Sequence, residues 1–366
     1  MGSEDVLQLA GARERINATL SSEPRELVFT APGEIVVRAV AAVAPGPGEV
    51  RVATLLSGMS HGTEINLLRG SAPGFHRRWD KRLRAFRDEP AHKSYPVAPG
   101  YECVGIVVEL GEGVAGASPG DLVWLDRPHR SEHIVPTAEV RAGRLPEGMT
   151  PEQGIFCALT RVALGGVHDA DIRLGDRVAI VGGGTIGLIA GQLARLNGAR
   201  DVYVIERSEM RRGIARALGL IAVEPDEGGG AIEVKEACGG ADVAIDTSGA
   251  YSGLHQAIAA CAPGGIVVAV SSYQGEGAGL RLGEEFHRNR ITLRSSMTVN
   301  GAEHRAHPRW DLDRLNRTAR QLLAERSIEV GPLLSHVYPL EAAAEAYRLA
   351  QDAAACVKIA FSYEAR

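Results

Sequence analysis

Cysteine is scarce in this sequence of 366 residues, and the cysteines present are too scattered to form a metal-binding or disulfide framework. Closely spaced pairs of the C-x-x-C type, which hold structural zinc, are absent from the sequence. This dispersed, odd-numbered set is typical of a reducing compartment and excludes the usual structural zinc knot. The five cysteines are Cys103, Cys157, Cys238, Cys261 and Cys356.

Long apolar runs and strong net charge are also lacking. Apolar segments fall short of the ~20 residues that span a bilayer, and the N-terminus lacks the basic start and apolar core of a signal peptide. A formal net charge of −5 gives no electrostatic reason to expect nucleic acid or an anionic membrane as a partner. We therefore expect a cytoplasmic protein that acts on a small molecule, with neither nucleic acid nor membrane as a partner.

The pattern of apolar segments changes near residue 151, which predicts two domains and an α/β fold. From about residue 27 to 140, short apolar runs such as "GEIVVRAV" are cut by glycine and proline, a pattern typical of a β-barrel-like unit. Beyond residue 151, apolar strands alternate with helical segments, which predicts a doubly wound parallel sheet. We expect a first domain over 1–152, completed by a tail over 299–366, and a nucleotide-binding domain over 153–298. The tail is predicted to hold a helix near Asp311 to Glu325, the helix "EAAAEAYRLA" and a final strand "CVKIAF".

An insertion in the first domain, "GFHRRWDKRLRAFRDEP", has apolar residues at helical spacing with arginines between them. Phe75, Trp79, Leu83 and Phe86 predict an amphipathic helix. Its basic face is either a solvated surface or a lid that recognises a carboxylate or phosphate on the substrate. A second His/Arg cluster, "AEHRAHPRW" over residues 302–310, has the same two interpretations.

The stretch "VAIVGGGTIG" contains the G-x-G-x-x-G pattern of a dinucleotide site. It follows a strand rich in valine and isoleucine and opens a helix, so backbone amides at the helix N-terminus can face a pyrophosphate. The predicted cradle comprises Gly182, Gly184, Thr185, Ile186 and Gly187.

The choice of nucleotide depends on the residues that follow the next strand. Glu206 ends that strand, and a carboxylate there accepts hydrogen bonds from a ribose diol and repels a 2′-phosphate, which favours NAD. Arg207 and Arg211 leave NADP as the alternative, because a guanidinium accommodates a 2′-phosphate. Further candidates follow later strands, where the nicotinamide half would lie or where the residues only form turns: Thr247, Ser248 and Ser271.

The motifs "PGYECVGIVVELGEGV" and "IRLGDRVAIVGGGTIG", together with the returning tail, resemble the medium-chain dehydrogenase/reductase superfamily over almost the whole chain. The resemblance implies a GroES-like catalytic domain, a Rossmann domain, an active site in the cleft between them, and a dimer or tetramer. The pair "SHGTE" and "PGYE" also resembles a minor branch that includes bacteriochlorophyllide-type hydroxyethyl dehydrogenases. That branch implies action on a secondary alcohol or ketone.

The zinc branch of the superfamily has a loop G-x-C-G-T-D-x-H followed by G-H-E, and this sequence departs from it at the ligand positions. His61 or Ser60 stands where the cysteine would be, and Tyr101 precedes Glu102 where the family has a histidine. The position of Cys157 resembles that of the third zinc ligand in some alcohol dehydrogenases. Serine and tyrosine hydroxyls bind zinc poorly, so catalytic zinc is not expected unless His61, Glu102 and Cys157 converge. The remaining equivalents are Gly62, Thr63 and Glu64 for G-T-D, Asn66 for the later histidine and Gly100 for the glycine of G-H-E.

Without zinc, other groups must stabilise and protonate the substrate oxygen. We assign hydrogen bonding to Tyr101 and Thr63 and proton relay to His61, with Ser60, Glu102 and Cys157 completing the candidate site. Each also has an ordinary interpretation, since His61 suits a turn, Tyr101 a packed strand and Cys157 an apolar core. The predicted function is NAD(P)-dependent interconversion of a secondary alcohol and a ketone on a small to medium polar metabolite, which is either neutral or anionic. The alternatives are a zinc-free NADPH-dependent reductase of activated double bonds and a nucleotide-binding protein without redox turnover.

Overall fold

The structure is a computed structural model that describes residues 23–89, 91, 93–225, 229–297, 306–352 and 354–363. The chain divides into two compact units. The first comprises residues 1–156, 336–351 and 359–366, and the second comprises residues 157–335 and 352–358. The boundary expected after residue 152 lies close to the structural one. The tail from residue 299 was predicted to lie in the first domain, whereas the structure groups the described residues 306–335 with the second unit.

The described residues contain both strands and helices, as the sequence pattern indicates. The strands are β1 (Arg25–Ala31), β2 (Glu34–Ala39), β3 (Glu49–Gly58), β4 (Arg78–Asp80), β5 (Ala85–Arg87), β6 (Cys103–Leu110), β7 (Leu122–Leu125), β8 (Glu132–Pro136), β9 (Arg177–Val181), β10 (Asp201–Ile205), β11 (Ile221–Val223), β12 (Ala241–Asp246), β13 (Cys261–Ala269), β14 (Thr292–Ser295), β15 (Leu334–Pro339) and β16 (Lys358–Ser362). The helices are α1 (His61–Arg69), α2 (Thr137–Gly143), α3 (Pro151–Gly154), α4 (Cys157–Asp169), α5 (Thr185–Leu196), α6 (Glu209–Ala217), α7 (Gly230–Cys238), α8 (Tyr251–Ala260), α9 (Glu285–Arg288), α10 (Leu312–Ala324) and α11 (Ala343–Ala350), with 3-10 turns at Pro73–Phe75, Gly331–Leu333 and Leu340–Ala342.

The first unit is organised around β3, the central strand of an antiparallel sheet with the order β15-β16-β3-β6-β7. One edge of β3 pairs with β6, and the other edge is shared by β8 and the C-terminal strand β16. Valines on β3, β6, β7 and β8 are fully buried in one core, which explains the alternating apolar pattern of this region. The predicted β-rich unit is confirmed, and its sheet includes the C-terminal strand β16. β3 ends directly before the loop that carries Ser60.

The second unit contains a parallel sheet of six strands in the order β11-β10-β9-β12-β13-β14. The strand order therefore reverses between β9 and β12, which is the point where open α/β sheets bind nucleotides. Consecutive residues of the central strands β9, β10 and β12 are buried, so both faces of the sheet are covered there and these strands are continuous apolar runs. The predicted doubly wound parallel sheet is confirmed.

The tail helix α10 was predicted near Asp311 to Glu325, and the structure has it over Leu312–Ala324 with Asp311 as its N-cap. Its buried residues Leu315, Ala319 and Leu323 recur every four positions, and Asn316 accepts a hydrogen bond from Arg161 of α4 at 3.0 Å. This packing against α4 explains why the segment belongs to the second unit although the alternation of strand and helix has stopped.

The basic insertion is a β-hairpin, so the predicted amphipathic helix is wrong. β4 and β5 pair antiparallel, with Trp79 opposite Phe86 and their rings 5.0 Å apart. The carboxylate of Asp80 accepts hydrogen bonds from the backbone amides of Arg82 and Leu83, both at 2.9 Å. This local turn competes with the helix, and the apolar spacing that suggests a helix is the cross-strand pair of the hairpin. The part of the second His/Arg cluster at 302–305 lies outside the described residues.

Across the described part of the chain, the helices are too short or too polar to cross a membrane.

Candidate functional site

Ser60 is the N-cap residue of α1 and lies between the end of β3 and the first turn of that helix. A serine at this position usually accepts a hydrogen bond from an amide of the first turn. In the part of the chain that the structure describes, the Ser60 hydroxyl makes no such cap. It pairs with the phenol of Tyr101, the residue at the histidine position of the G-H-E motif.

Tyr101 lies two residues before β6, and its phenol also hydrogen-bonds with Thr63 in the first turn of α1. Burial raises the pKa of Tyr101 above its usual range, and the charge of Glu102 raises it further, while the bonds to Ser60 and Thr63 offset only part of this rise. Tyr101 is therefore protonated at neutral pH and is a hydrogen-bond donor. The structure brings together three of the predicted site residues, Ser60, Thr63 and Tyr101.

Glu64 lies in the first turn of α1, four residues after Ser60, and is fully buried. Its Oε1 accepts a hydrogen bond from the backbone amide of Ser60 at 2.7 Å, and its Oε2 lies 3.0 Å from Nε2 of His129. The phenol of Tyr347 also donates to Oε2. Burial alone would raise the pKa of Glu64, but the charge and hydrogen bond of His129, with the bonds from Tyr347 and Ser60, hold it below the usual range. Glu64 is thus a buried carboxylate.

His129 extends the network away from Glu64. Its Nδ1 lies 2.6 Å from the hydroxyl of Ser57, which in turn lies 2.6 Å from the phenol of Tyr363. His129 and Ser57 are fully buried. The ring of His129 also explains the glycine of "PGYE", because a Cβ on Gly100 would lie 2.9 Å from Cδ2 of His129, and Gly100 has φ +104°.

The other predicted catalytic residues have separate positions. His61 is half-buried and is the first residue of α1. Glu102 is fully buried, and its carbonyl accepts a hydrogen bond from the amide of Gly58 at 2.8 Å. Cys157 is buried at the start of α4 in the second unit, where it interacts electrostatically with Arg320. The conditional metal set of His61, Glu102 and Cys157 stays a prediction.

The donor chemistry at Ser60 and Tyr101 does not fit catalytic zinc. Zinc prefers deprotonated thiolate, neutral imidazole or carboxylate ligands, with one position open for substrate. Here two protonated hydroxyls are paired with each other, and the raised pKa of Tyr101 opposes the phenolate that a metal would need. We therefore derive no step through zinc at this position.

A second group of possible metal donors lies in the second unit. Among the described residues, the donor atoms close enough to share an ion belong to His255, Glu284 and Glu285. The guanidinium of Arg281 already lies among them, because it contacts Nε2 of His255 and Oε2 of Glu284, each at 2.7 Å. Arg281 therefore supplies the positive charge that these groups require.

The glycine turn of the second unit has the geometry of a nucleotide cradle. Gly182 follows β9 with φ +95°, a conformation that disfavours other residues, and Gly184 is the N-cap of α5. A Cβ on Gly187 would lie 1.9 Å from the carbonyl oxygen of Gly182, so only glycine allows this approach of helix and strand. Thr185 is buried and donates to the carbonyl of Val357 at 3.2 Å, whereas Ile186 is half-buried. The residues present fit a dinucleotide.

Glu206 closes β10 beside this turn. Its carboxylate accepts hydrogen bonds from the amides of Gly183 at 2.7 Å and Ser208 at 2.8 Å. Arg211 lies 3.6 Å from the same carboxylate but donates to the carbonyl of Cys356 at 2.6 and 3.1 Å. Arg207 is exposed. The negative charge is therefore fixed at the turn, while Arg211 is directed toward a backbone carbonyl.

Thr247 and Ser248 follow β12 at the point where the strand order reverses. The hydroxyl of Thr247 donates to the carbonyl of Gly182 at 2.8 Å, which joins the ends of β9 and β12. The amide of Ser248 donates to Asp246 at 3.2 Å, and the phenol of Tyr273 donates to the same carboxyl. Burial raises the pKa of Asp246, and these hydrogen bonds only partly oppose it. A Cβ on Gly249 would lie 3.8 Å from Cβ of Ser271, so Ser271 adjoins the same turn.

Sequence reasoning missed the buried network behind Ser60. His129, Ser57, Tyr347 and Tyr363 come from four separate segments, and nothing in their local sequence links them to Glu64. The motif "SHGTE" draws attention to Glu64 only as an equivalent of the family's aspartate. A buried acid requires partners, which is the one sequence signal that this network existed.

Comparisons with known proteins agree with this architecture. The model of the alcohol dehydrogenase GroES-like domain matches residues 46–169, and that of zinc-binding dehydrogenases matches residues 185–314. D-guloside 3-dehydrogenase of Escherichia coli K12 is 29% identical over 312 residues, which are 82% of this chain and 88% of that protein. (R,R)-butanediol dehydrogenase of Bacillus subtilis 168 is 30% identical over 237 residues, which are 57% of this chain and 66% of that protein.

A solved structure shows the same fold over nearly all of the chain. It is that of a Sinorhizobium meliloti 1021 protein bound to NADP, which is described as a zinc-binding dehydrogenase. It superposes with a TM-score of 0.72 at 25% identity, covering 93% of this chain and 99% of that one. The resemblance to bacteriochlorophyllide-type enzymes stays a prediction. Both domain models and relatives named as dehydrogenases show that the chain belongs to the medium-chain dehydrogenase/reductase superfamily and is an oxidoreductase of the alcohol dehydrogenase type.

Proposed function

We propose that this protein is an NAD(H)-preferring oxidoreductase that interconverts a secondary alcohol and a ketone on a small to medium polar metabolite without catalytic zinc. The observation that carries the proposal is the pairing of the Ser60 hydroxyl with the Tyr101 phenol, at the positions where the zinc branch has metal ligands. A protonated phenol is a suitable hydrogen-bond donor to a developing alkoxide.

The protein's own groups supply the proton chemistry of the proposed reaction. When bound, NAD exchanges a hydride with the carbinol carbon of the substrate. In ketone reduction Tyr101 donates its proton to the substrate oxygen, and the hydroxyl of Ser60 then donates a hydrogen bond to the Tyr101 oxygen. Alcohol oxidation runs the same transfer in reverse. His61, half-buried at the start of α1, is the titratable group to which we assign proton exchange with solvent.

The preference for NAD rests on the second unit. The carboxylate of Glu206 is held at the glycine turn by two backbone amides, where it repels a 2′-phosphate. Arg211, which would otherwise attract that phosphate, donates to the carbonyl of Cys356. NADP remains the alternative, because the S. meliloti relative is bound to NADP.

The substrate class is inferred from the relatives and from the polar residues at Tyr101. The E. coli and B. subtilis relatives are named for a D-guloside and for a butanediol, both of which carry more than one hydroxyl group. We propose a hydroxylated metabolite of similar polarity. A cytoplasmic homo-oligomer with neither nucleic acid nor membrane as a partner completes the proposal.

A substrate panel tests this function. The full chain is incubated with NAD⁺ or NADP⁺ and secondary alcohols, diols and sugar derivatives, and with NADH or NADPH and the matching ketones, while absorbance of the reduced cofactor is followed. We expect turnover with at least one alcohol–ketone pair, faster with NAD(H). Consumption of an enone with NADPH and no change of any alcohol would select the double-bond reductase. Cofactor binding without turnover on any of these compounds would select a protein without redox activity.

A further inference from the structure

The Ser60 side chain has an unusual orientation for an N-cap serine, because its hydroxyl pairs with Tyr101 instead of the backbone amides of α1. Isolated helix N-termini leave these amides without partners, and a serine at the N-cap normally satisfies one of them. In this protein a residue of the helix itself acts on the N-cap. Glu64 reaches back four positions, and its Oε1 accepts the backbone amide of Ser60 at 2.7 Å. The main chain of Ser60 is thereby fixed while its side chain is left to pair with Tyr101.

Glu64 is itself held by two side chains from distant parts of the first unit. His129 lies 3.0 Å from Oε2, and the phenol of Tyr347 donates to the same oxygen. Glu64, His129 and Tyr347 are all fully buried. A carboxylate satisfies three converging donors, whereas an amide has one acceptor oxygen and would place its own N–H groups against one of them.

The part of the His129 ring that points away from Glu64 is also held by neighbouring side chains. Nδ1 of its ring is 2.6 Å from the hydroxyl of Ser57, and the ring packs edge-on against Phe361 at 4.9 Å. Gly100 leaves room for the same ring and directly precedes Tyr101. His129 therefore lies between the segment that carries Tyr101 and the acid that fixes Ser60.

We propose that Glu64, held in place by His129, is a positioning residue that keeps the Ser60 hydroxyl on the phenol of Tyr101. This inference rests on the proposed role of the Ser60–Tyr101 pair. Glu64 positions the reacting groups through the main chain of Ser60, so this contribution exists only while residue 60 has a hydroxyl. The charge of Glu64 also raises the pKa of Tyr101, but by less than burial and the charge of Glu102 do. A residue that merely stabilises the first unit would contribute whether or not that hydroxyl is present.

A double-mutant cycle separates these two roles. The variants are Glu64→Gln, Ser60→Ala and the double variant, each measured for kcat, KM, NADH affinity and thermal midpoint with the best substrate of the panel. We expect Glu64→Gln to lower kcat by about 10- to 100-fold with KM changed by less than about threefold, because misplacement of a catalytic group costs rate more than binding. In the Ser60→Ala background, the same substitution is expected to change kcat by less than about twofold.

Two further variants serve as a control and as an independent test of the positioning role. Glu132→Gln removes another buried acid of the first unit, which is ion-paired with Arg51 at 2.7 Å, and should leave kcat within about twofold of wild type. His129→Gln should reproduce the kcat loss of Glu64→Gln and should likewise lose its effect when residue 60 is alanine. His129→Gln serves as the second route if Glu64→Gln does not fold.

The outcomes are distinct. Multiplicative losses of kcat in the double variant, or an unchanged kcat in Glu64→Gln with normal folding, would overturn the positioning role. Wild-type protein without turnover on any alcohol or ketone would overturn the proposed function instead. In that case the positioning role, which depends on that function, would fall with it. Turnover in the wild type, together with a loss of kcat in the double variant that is smaller than the product of the two single losses, supports both the proposed function and the positioning role.

Discussion

The hydroxyl of Ser60 pairs with the phenol of Tyr101 across the two motifs that hold zinc in related enzymes. The pair joins the first turn of α1 to the segment that precedes β6. Both groups are neutral. Burial, and to a smaller extent the charge of Glu102, raises the pKa of Tyr101 and so keeps its phenol protonated. The Ser60–Tyr101 pair therefore offers hydroxyl groups as hydrogen-bond donors. The geometry around this pair and around the glycine turn leads to four predictions.

Removing the Tyr101 hydroxyl tests the proton donor. Tyr101→Phe preserves the ring but leaves the substrate oxygen without its acid, so we expect kcat to fall by about 10²- to 10³-fold. NADH affinity should change by less than about twofold, because the glycine turn belongs to the other unit. Steady-state kinetics and fluorescence titration of NADH measure these two quantities. Tyr338→Phe, at a half-buried tyrosine of β15, is the matched control, and an equal loss in both variants would contradict the assignment.

The raised pKa of Tyr101 predicts different pH profiles for the two directions. Because the protonated phenol predominates well beyond pH 9, ketone reduction should be independent of Tyr101 ionisation between about pH 7 and 9. Alcohol oxidation needs the rare phenolate as base, so its kcat/KM should rise by up to about tenfold per pH unit over that range. Initial rates in both directions provide the profiles. An oxidation rate that levels off below pH 8 would show that a group of lower pKa is the base.

Gly100→Ala tests the close approach of His129. An alanine there is strained at φ +104° and places its Cβ 2.9 Å from both Cδ2 and the backbone nitrogen of His129. We expect a loss of about 2–4 kcal/mol in the free energy of unfolding. Gly148→Ala is the matched control, because Gly148 has φ +79° but its added Cβ meets no atom within 4 Å. Denaturant unfolding followed by circular dichroism should show a clearly smaller loss for the control, and equal losses would contradict the contact.

Glu206→Ala tests the preference for NAD. The substitution removes the charge that repels a 2′-phosphate and releases Arg211 from its neighbour at 3.6 Å. We expect the ratio of kcat/KM for NADH to that for NADPH to fall by at least about tenfold. Glu224→Ala, an exposed acid that pairs with Arg212 at 2.9 Å, should leave the ratio unchanged. If Glu206→Ala leaves the ratio unchanged, the Glu206 carboxylate only accepts the backbone amides of the turn and does not select between NADH and NADPH.

Much of the fold follows from the sequence because periodicity reports burial directly. The continuous apolar runs of β9 and β12 predict strands buried on both faces, and the glycine turn between β9 and α5 predicts the nucleotide edge. The hairpin of β4 and β5 was missed because Trp79 and Phe86 suit a helical spacing and a cross-strand pair equally well. Only the turn made by Asp80 decides between them.

The candidate site was predicted in part. Ser60, Thr63 and Tyr101 are found together because the family motifs place them. The network of Glu64 and Ser57, however, depends on His129, which comes from a distant segment. Hydrogen bonds between such segments leave no periodic trace in the sequence. The unit to which the tail helix α10 belongs was not predicted for a related reason, since tertiary contacts decide which unit an amphipathic helix packs against.

The most direct test of the central claim is specific activity measured against zinc content. Protein purified without a chelating tag is divided into samples that are dialysed against a chelator, left untreated or reloaded with zinc, and each is analysed by elemental mass spectrometry and assayed with the same alcohol. The account predicts a specific activity independent of the zinc-to-chain ratio and lost in Tyr101→Phe at every ratio. Activity that rises in proportion to zinc and is abolished by the chelator would contradict it and would show that a metal, held by residues such as His61 and Glu102, performs the role assigned to the Ser60–Tyr101 pair.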